Sequence, residues 1–186
     1  MSTVRKLNEA ALRDIYSVYM HEAFPPAELK PLAAMLRLME RGRYLCYGYY
    51  RDGRLAAYAF FYRHAGRVLL LDYFAVTPEL RGRGVGSAFL AALDVVLGDV
   101  CILAEVETPD SHDAGLNAMR LRRIAFYERA GFSLTGAACR LYGVHYAIIA
   151  RHLPAELSAA GLRALLREVY SGLVPAPVRS LVLHLE

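Results

Sequence analysis

The chain has no apolar run, free of charges, that is long enough to span a membrane. Met1-Ser2-Thr3 leads straight into charged sequence, so no secretory leader is expected. Cysteine is scarce. Cys46, Cys101 and Cys139 are odd in number, far apart and set in apolar runs, which excludes a disulfide framework and fits reduced core thiols in the cytoplasm. No repeat, low-complexity stretch or linker interrupts the sequence. An excess of one charge is also missing. Lys plus Arg is 22 against 18 acidic residues, a net charge of +4 that favours an anionic ligand but does not by itself indicate nucleic acid. What remains is 186 residues, 56% of them hydrophobic, enough for one domain with a sizeable core and far from the composition of a disordered chain.

The periodicity predicts a short strand over 4–7, then a helix from an Asn8 cap to about residue 21, stopped by Phe24-Pro25-Pro26. A second helix is expected from Pro31 to Gly42, with Met35 and Met39 in the core. Strands are expected over 44–50, 55–62 and 68–76, the first two joined by an Asp52-Gly53 turn. A helix over 84–97 carries Val85, Phe89, Leu93 and Val96 on one face. The apolar run 100–106 reads as a strand covered on both faces. A polar loop over 108–115 precedes a helix over 117–129 that is capped by Gly131. Strands over 132–141 and 144–150 flank Tyr142-Gly143, residues 154–170 form a last helix, and 178–183 is a terminal strand or an ordered tail.

The stretch Arg81-Gly82-Arg83-Gly84-Val85-Gly86 joins a strand to a helix. Its glycines let the backbone approach a ligand, and a helix opening inside such a turn aims unpaired N–H groups outward at a phosphate. A P-loop would need a Lys after the glycines, and a dinucleotide fingerprint would need G-x-G-x-x-G rather than the G-x-G-x-G found here. A basic surface turn is the plain alternative.

This stretch resembles motif A of the GNAT N-acetyltransferases, Q/R-x-x-G-x-G/A, with Arg81, Gly84 and Gly86 at the fixed positions. The run Phe126-Tyr127-Glu128-Arg129-Ala130-Gly131-Phe132 resembles the family's motif B. The order of elements over 44–150 also follows the family. The resemblance implies an α/β (α+β) GNAT fold, a mixed central sheet with an antiparallel meander and flanking helices. One domain would span 1–186, with its cofactor core over about 68–132 and a C-terminal helix and tail over about 154–186. One position departs from the pattern: where such helices often carry an Asn seven residues before the motif B tyrosine, this chain has Arg120.

The resemblance implies an acetyl-CoA-dependent N-acetyltransferase acting on a primary amine by direct attack in a ternary complex, with no metal. Amides from Gly82 through Arg83, Gly84, Val85 and Gly86 to Ser87 would hold the pyrophosphate, helped by Arg81 or Arg83. The main chain of Phe74-Ala75-Val76 would pair with the pantetheine arm and offer an oxyanion donor. Tyr127 would protonate the thiolate; its plain alternative is a half-buried helix tyrosine.

An amine acceptor must lose a proton, which calls for a base. Glu105 and Glu107 alternate with Val106 and so share a strand face, with Glu107 nearer the mouth and first in line. Glu105 could equally be a structural partner for Arg122 or Arg123. Asp72 is a third candidate, or only a core-edge acceptor. His112 with Asp110 and Asp113 matches no standard metal spacing, and Cys101 lacks the neighbours of a nucleophile. Tyr19, Phe24, Pro25, Pro26, Ala27, Glu28 and Tyr142 are expected, by analogy, to border the acceptor site.

Two other readings stay open. One is a non-catalytic acyl-CoA sensor or interaction module. The other is a toxin that acetylates aminoacyl-tRNA, using Arg37, Arg41, Arg43 and the arginines of 120–129. No membrane partner is expected, nucleic acid is disfavoured, and a homodimer is left open.

Overall fold

A computed structural model describes residues 1–110 and 112–186, the side chain of Val178 excepted; Ser111, in the predicted polar loop, lies outside the described residues. Among the described residues eight strands form one mixed sheet, in the order β1 (Ser2–Lys6), β2 (Tyr44–Arg51), β3 (Arg54–Arg63), β4 (Val68–Val76), β5 (Cys101–Glu107), β7 (Val144–Arg151), β6 (Ser133–Leu141) and β8 (Leu183–Leu185). The chain divides into two compact units, one of Met1–Arg63 with Leu71–Gly98, the other of His64–Leu70 with Asp99–Glu186.

In the first unit β1 (Ser2–Lys6), β2 (Tyr44–Arg51) and β3 (Arg54–Arg63) run antiparallel. Asp52 and Gly53 both take positive φ, 49° and 79°, as a primed two-residue hairpin turn requires. β4 (Val68–Val76) gives its residues from Leu71 onward to this unit. Asn8 caps α1 (Glu9–Ile15), its side chain accepting from Ala11 N at 3.0 Å. The chain then widens into a π turn, Tyr16–Met20, and closes with α2 (His21–Ala23), a change of pitch that a 3.6-residue pattern does not forecast. α3 (Leu32–Glu40) follows Pro31 and packs on β2, with Met35 fully buried and Met39 half-buried.

α4 (Val85–Leu97) packs on β1 and β3 through Val85, Phe89 and Leu93. The Phe89 ring is stacked between Tyr49 and Phe74, with centroids 5.3 and 5.7 Å away. Burying one such aromatic ring is worth about 2–3 kcal/mol. That packing fixes the first turn of α4 against the sheet.

In the second unit β5 (Cys101–Glu107) pairs with β7 (Val144–Arg151), and β6 (Ser133–Leu141) lies beyond β7. Tyr142 and Gly143, at φ 49° and 84°, make the β6–β7 turn. α5 (Ala114–Arg129) begins three residues before the predicted start, because Asp113 caps it by accepting from Gly115 N at 2.7 Å and Leu116 N at 3.0 Å.

α6 (Ala159–Leu173) starts at a Ser158 cap, later than the predicted residue 154, and buries Leu162, Leu166, Val169 and Tyr170. The predicted terminal strand or tail is instead α7 (Ala176–Val182) followed by β8 (Leu183–Leu185), which pairs with β6. Arg179 donates to Ser171 O and Val174 O and so satisfies carbonyls at the end of α6.

Candidate active site residues in each unit

In the first unit, β4 ends at Val76 and a single 3₁₀ turn, Pro78–Leu80, leads to the glycines. Thr77, 3% exposed, anchors the strand end by donating its N–H to Ala56 O at 2.9 Å. Gly82 and Gly84 have φ of 72° and 73°, values an L side chain rarely adopts, and a Cβ built on either would meet nothing within 4 Å. Gly84 is the N-cap of α4, and no side chain caps that end. A thirteen-residue helix thus opens beside bare, unobstructed backbone, which suits a phosphate.

The Arg81, Arg83 and Ser87 side chains are exposed, and Arg81 Nε donates to Val76 O at 3.3 Å. Val85 and Gly86 are buried under the turn, and Phe74, Ala75 and Val76 are half-buried.

Asp72 is placed as a hydrogen-bond acceptor. Its side chain is 6% exposed, lies 2.6 Å from Lys30 Nζ, and accepts the Tyr44 hydroxyl. Tyr73 OH donates to Glu28 O at 2.7 Å and accepts from Lys30 N at 2.9 Å. Phe24 packs edge-on against Tyr73 at 4.9 Å. These contacts hold the chain from Phe24 to Lys30 in place, although only the Phe24-Pro25-Pro26 break is visible locally. Burial, with the Asp72 charge behind it, drives the Tyr44 and Tyr73 hydroxyls to stay protonated.

In the second unit, β5 carries both predicted carboxylates. Glu107 Oε1 lies 3.2 Å from Arg120 Nη2 and Oε2 lies 2.8 Å from Arg123 Nη1. Arg120 also reaches Thr108 O at 2.9 Å and Asp110 at 3.2 Å. His145 Nδ1 meets the other Asp110 oxygen at 3.2 Å. A hydrogen bond from the Thr108 side chain contributes most to holding the Asp110 carboxyl below its ordinary range, helped by its own backbone N–H and by the charges of His145 and Arg120.

Arg123, one of the two arginines weighed as a partner for Glu105, is thus paired with Glu107. Glu105 Oε1 accepts instead from Tyr170 OH at 2.6 Å, and Tyr170 OH lies 3.5 Å from Cys139 Sγ. Tyr127 is 8% exposed, edge-on to Phe126 and Phe132. Burial pushes its hydroxyl up to about 12, with Arg123 opposing and the Glu105 charge adding to the rise.

Cys101 is buried and its thiol is held protonated by burial. His112 is exposed, and Asp113 is committed to the α5 cap. Tyr19 is half-buried in the π turn, and Tyr142 is 57% exposed at its hairpin tip. Sequence reasoning did not find the Arg120–Glu107 pair or Tyr170. The helical spacing of 162, 166, 169 and 170 does signal that Tyr170 is buried, but not what it meets.

The model of the acetyltransferase (GNAT) family matches residues 9–132, well over half of the chain. The chain belongs to the GNAT acetyltransferase family. This acetyltransferase is similar in structure to a GNAT-family acetyltransferase from Bacteroides thetaiotaomicron, at 23% identity and a TM-score of 0.73, covering 91% of this chain and 98% of that one. It is also similar to the ribosomal-protein-S18-alanine N-acetyltransferase of Escherichia coli, at 23% identity and a TM-score of 0.58, covering 84% and 97%. A ribosomal-protein-alanine N-acetyltransferase from Brucella melitensis gives 20% identity, a TM-score of 0.58 and coverage of 81% and 99%. At these identities the likeness is one of fold. Comparison with curated protein sequences gives no match. The family match takes in both motifs and stops at residue 132, so β6, β7, α6, α7 and β8 of this N-acetyltransferase lie beyond it. No helix among the described residues is long and apolar enough to cross a membrane.

Proposed function

We propose that this GNAT enzyme transfers an acetyl group from acetyl-CoA to a primary amine, by direct attack within a ternary complex. The observation that carries the reading is the uncapped α4 N-terminus at Gly84, with open space before Gly82 and Gly84. The amides from Gly82 to Ser87 would hold the pyrophosphate, with Arg81 and Arg83 adding charge. The main chain of Phe74, Ala75 and Val76 would line the pantetheine arm. Bound acetyl-CoA supplies an activated thioester.

We assign the base to Glu105 rather than Glu107. Both Glu107 oxygens are engaged by arginines, Oε1 by Arg120 and Oε2 by Arg123, so this carboxylate is tied down as an ion-pair anchor. Glu105 lies close enough to Tyr127 for its charge to act on that phenol. A carboxylate oxygen of Glu105 takes a proton from the acceptor ammonium, directly or through one water, and the amine nitrogen then attacks the acyl carbon. As the C–S bond breaks, Tyr127 Oη gives its proton to the departing thiolate, and the second proton shed by the nitrogen as the amide forms restores the phenol. With its hydroxyl pushed up to about 12, Tyr127 enters that step protonated at any physiological pH.

The acceptor is sought among small amines, amino-acid derivatives and peptide N-termini, by following free thiol release from acetyl-CoA across such a panel. Turnover with at least one amine is the expected result. Acetyl-CoA binding by calorimetry with no thiol release from any of them would favour the sensor reading, and no acetyl-CoA binding would overturn the assignment.

A further inference from the structure

Tyr170 stands on α6, a helix outside the stretch that matches the family. It is fully buried, one of the largest side chains with essentially no exposure. Its hydroxyl donates to Glu105 Oε1 at 2.6 Å and meets Cys139 Sγ at 3.5 Å. A phenol in this place needs more than packing to explain it. A phenylalanine would fill the same volume without desolvating a hydroxyl, and an unpaired buried hydroxyl is costly. The hydroxyl is satisfied by a carboxylate that sits in the middle of β5, two residues before the arginine-bound Glu107. Burial, with the Glu105 charge next, raises Tyr170 well above the ordinary phenol value, so it donates a hydrogen bond and does not give up its proton.

We propose that Tyr170 is a positioning residue for acyl transfer: its hydroxyl fixes the Glu105 carboxylate in the rotamer and charge state from which it accepts the proton of the amine. The inference rests on the reading of Glu105 as the base. The C-terminal helix is then part of the catalytic unit and not an appendage to the family core. A short hydrogen bond from a side chain with a fixed ring holds a carboxylate more tightly than water would, and a carboxylate misplaced by even 1 Å loses much of its catalytic effect. Among the groups near Glu105 are Tyr170 from α6, Tyr127 from α5 and Cys139 from β6. All three stay protonated at neutral pH, and Tyr170 donates its hydrogen bond to the carboxylate itself, so its removal changes the carboxylate directly.

The experiment is a double-mutant cycle on the whole chain: wild type, Tyr170→Phe, Glu105→Gln, and both together. The acceptor is the best amine from the panel, and thiol release from acetyl-CoA is the readout. Tyr170→Phe lowers kcat by roughly tenfold and leaves the acetyl-CoA Kd unchanged. In the Glu105→Gln background the same change costs no further activity, because Tyr170 acts only through the carboxylate. A tenfold loss that persists in that background overturns the proposal, since a purely structural role would give it. So does a full-rate Tyr170→Phe protein. A full-rate Glu105→Gln protein instead removes the base assignment on which the proposal rests. A second measurement needs no acceptor. Carbon-13 NMR of the Glu105 carboxyl reads its titration midpoint, which rises by about one unit in Tyr170→Phe because a donor to the ionised form is lost. An unchanged midpoint overturns the link.

Discussion

Glu107 and Arg120 join the end of β5 to α5, with Glu107 Oε1 3.2 Å from Arg120 Nη2. Arg120 is the residue found where the resemblance to the family leads one to expect asparagine. Its side chain is 15% exposed and donates to Thr108 O as well, so a long cation here clamps the strand end and the loop that follows. Glu107→Gln should therefore act on stability first. With the carboxylate 21% exposed, we expect a loss of about 1–2 kcal/mol, below the cost of a fully buried pair. Denaturant unfolding checks the loss, and a rate-versus-pH profile that keeps its acid limb checks that Glu107 is not the base.

Gly84→Val tests the cofactor grip. The residue has φ of 73° and open space before it, so the added side chain costs strain and stands where a phosphate would approach. The strain should remove about 1–2 kcal/mol of stability. Acetyl-CoA affinity by calorimetry should fall at least tenfold, by an order-of-magnitude argument from lost amide contacts. Unchanged affinity in the folded variant would refute the assignment of the turn.

Tyr127→Phe should lower kcat by about 10²-fold while the acetyl-CoA Kd stays the same, since in the proposed reaction the hydroxyl acts only as the thiolate leaves. Steady-state kinetics with the best amine and a calorimetric titration separate the two effects. A full-rate variant would return Tyr127 to a packing role beside Phe126 and Phe132.

The same tyrosine predicts how stability responds to alkali. Its hydroxyl is raised from 10.0 to about 12 in the folded chain, so the fold prefers the protonated form. The unfolded chain loses that proton near pH 10 and the folded chain keeps it, so the contribution is complete below pH 10 and fades between about 10 and 12. Tyr44, Tyr73 and Tyr170 shift in the same direction and steepen the fall. Unfolding free energies between pH 9 and about 11.5 should decline with pH, and less steeply in Tyr127→Phe.

Asp72→Asn should destabilise the first unit by about 2–3 kcal/mol, because Lys30 Nζ loses a carboxylate that is only 6% exposed. The chain from Phe24 to Lys30 should loosen with it. Hydrogen exchange at Lys30 N, now bound to Tyr73 OH, would show that loosening, and protection equal to wild type would count against it.

Local rules carried much of this protein. Asp52-Gly53, Asn8, the 68–76 run and the Gly84 start of α4 each encode their own conformation within a few residues, so pattern and turn chemistry were enough to place them. The family motifs are local for the same reason: a phosphate-binding turn is made of consecutive amides. What the residues at 105, 107, 120 and 170 do was not legible. Glu105 and Glu107 alternate identically in sequence and differ only in what stands opposite them, Tyr170 for one and two arginines for the other. Those partners lie 65, 13 and 16 positions away, separations at which periodicity carries no register. Only the folded chain assigns each carboxylate its neighbour, bringing Tyr170 of α6 to Glu105 and Arg120 and Arg123 of α5 to Glu107, so two residues of identical local pattern stand in different electrostatic surroundings.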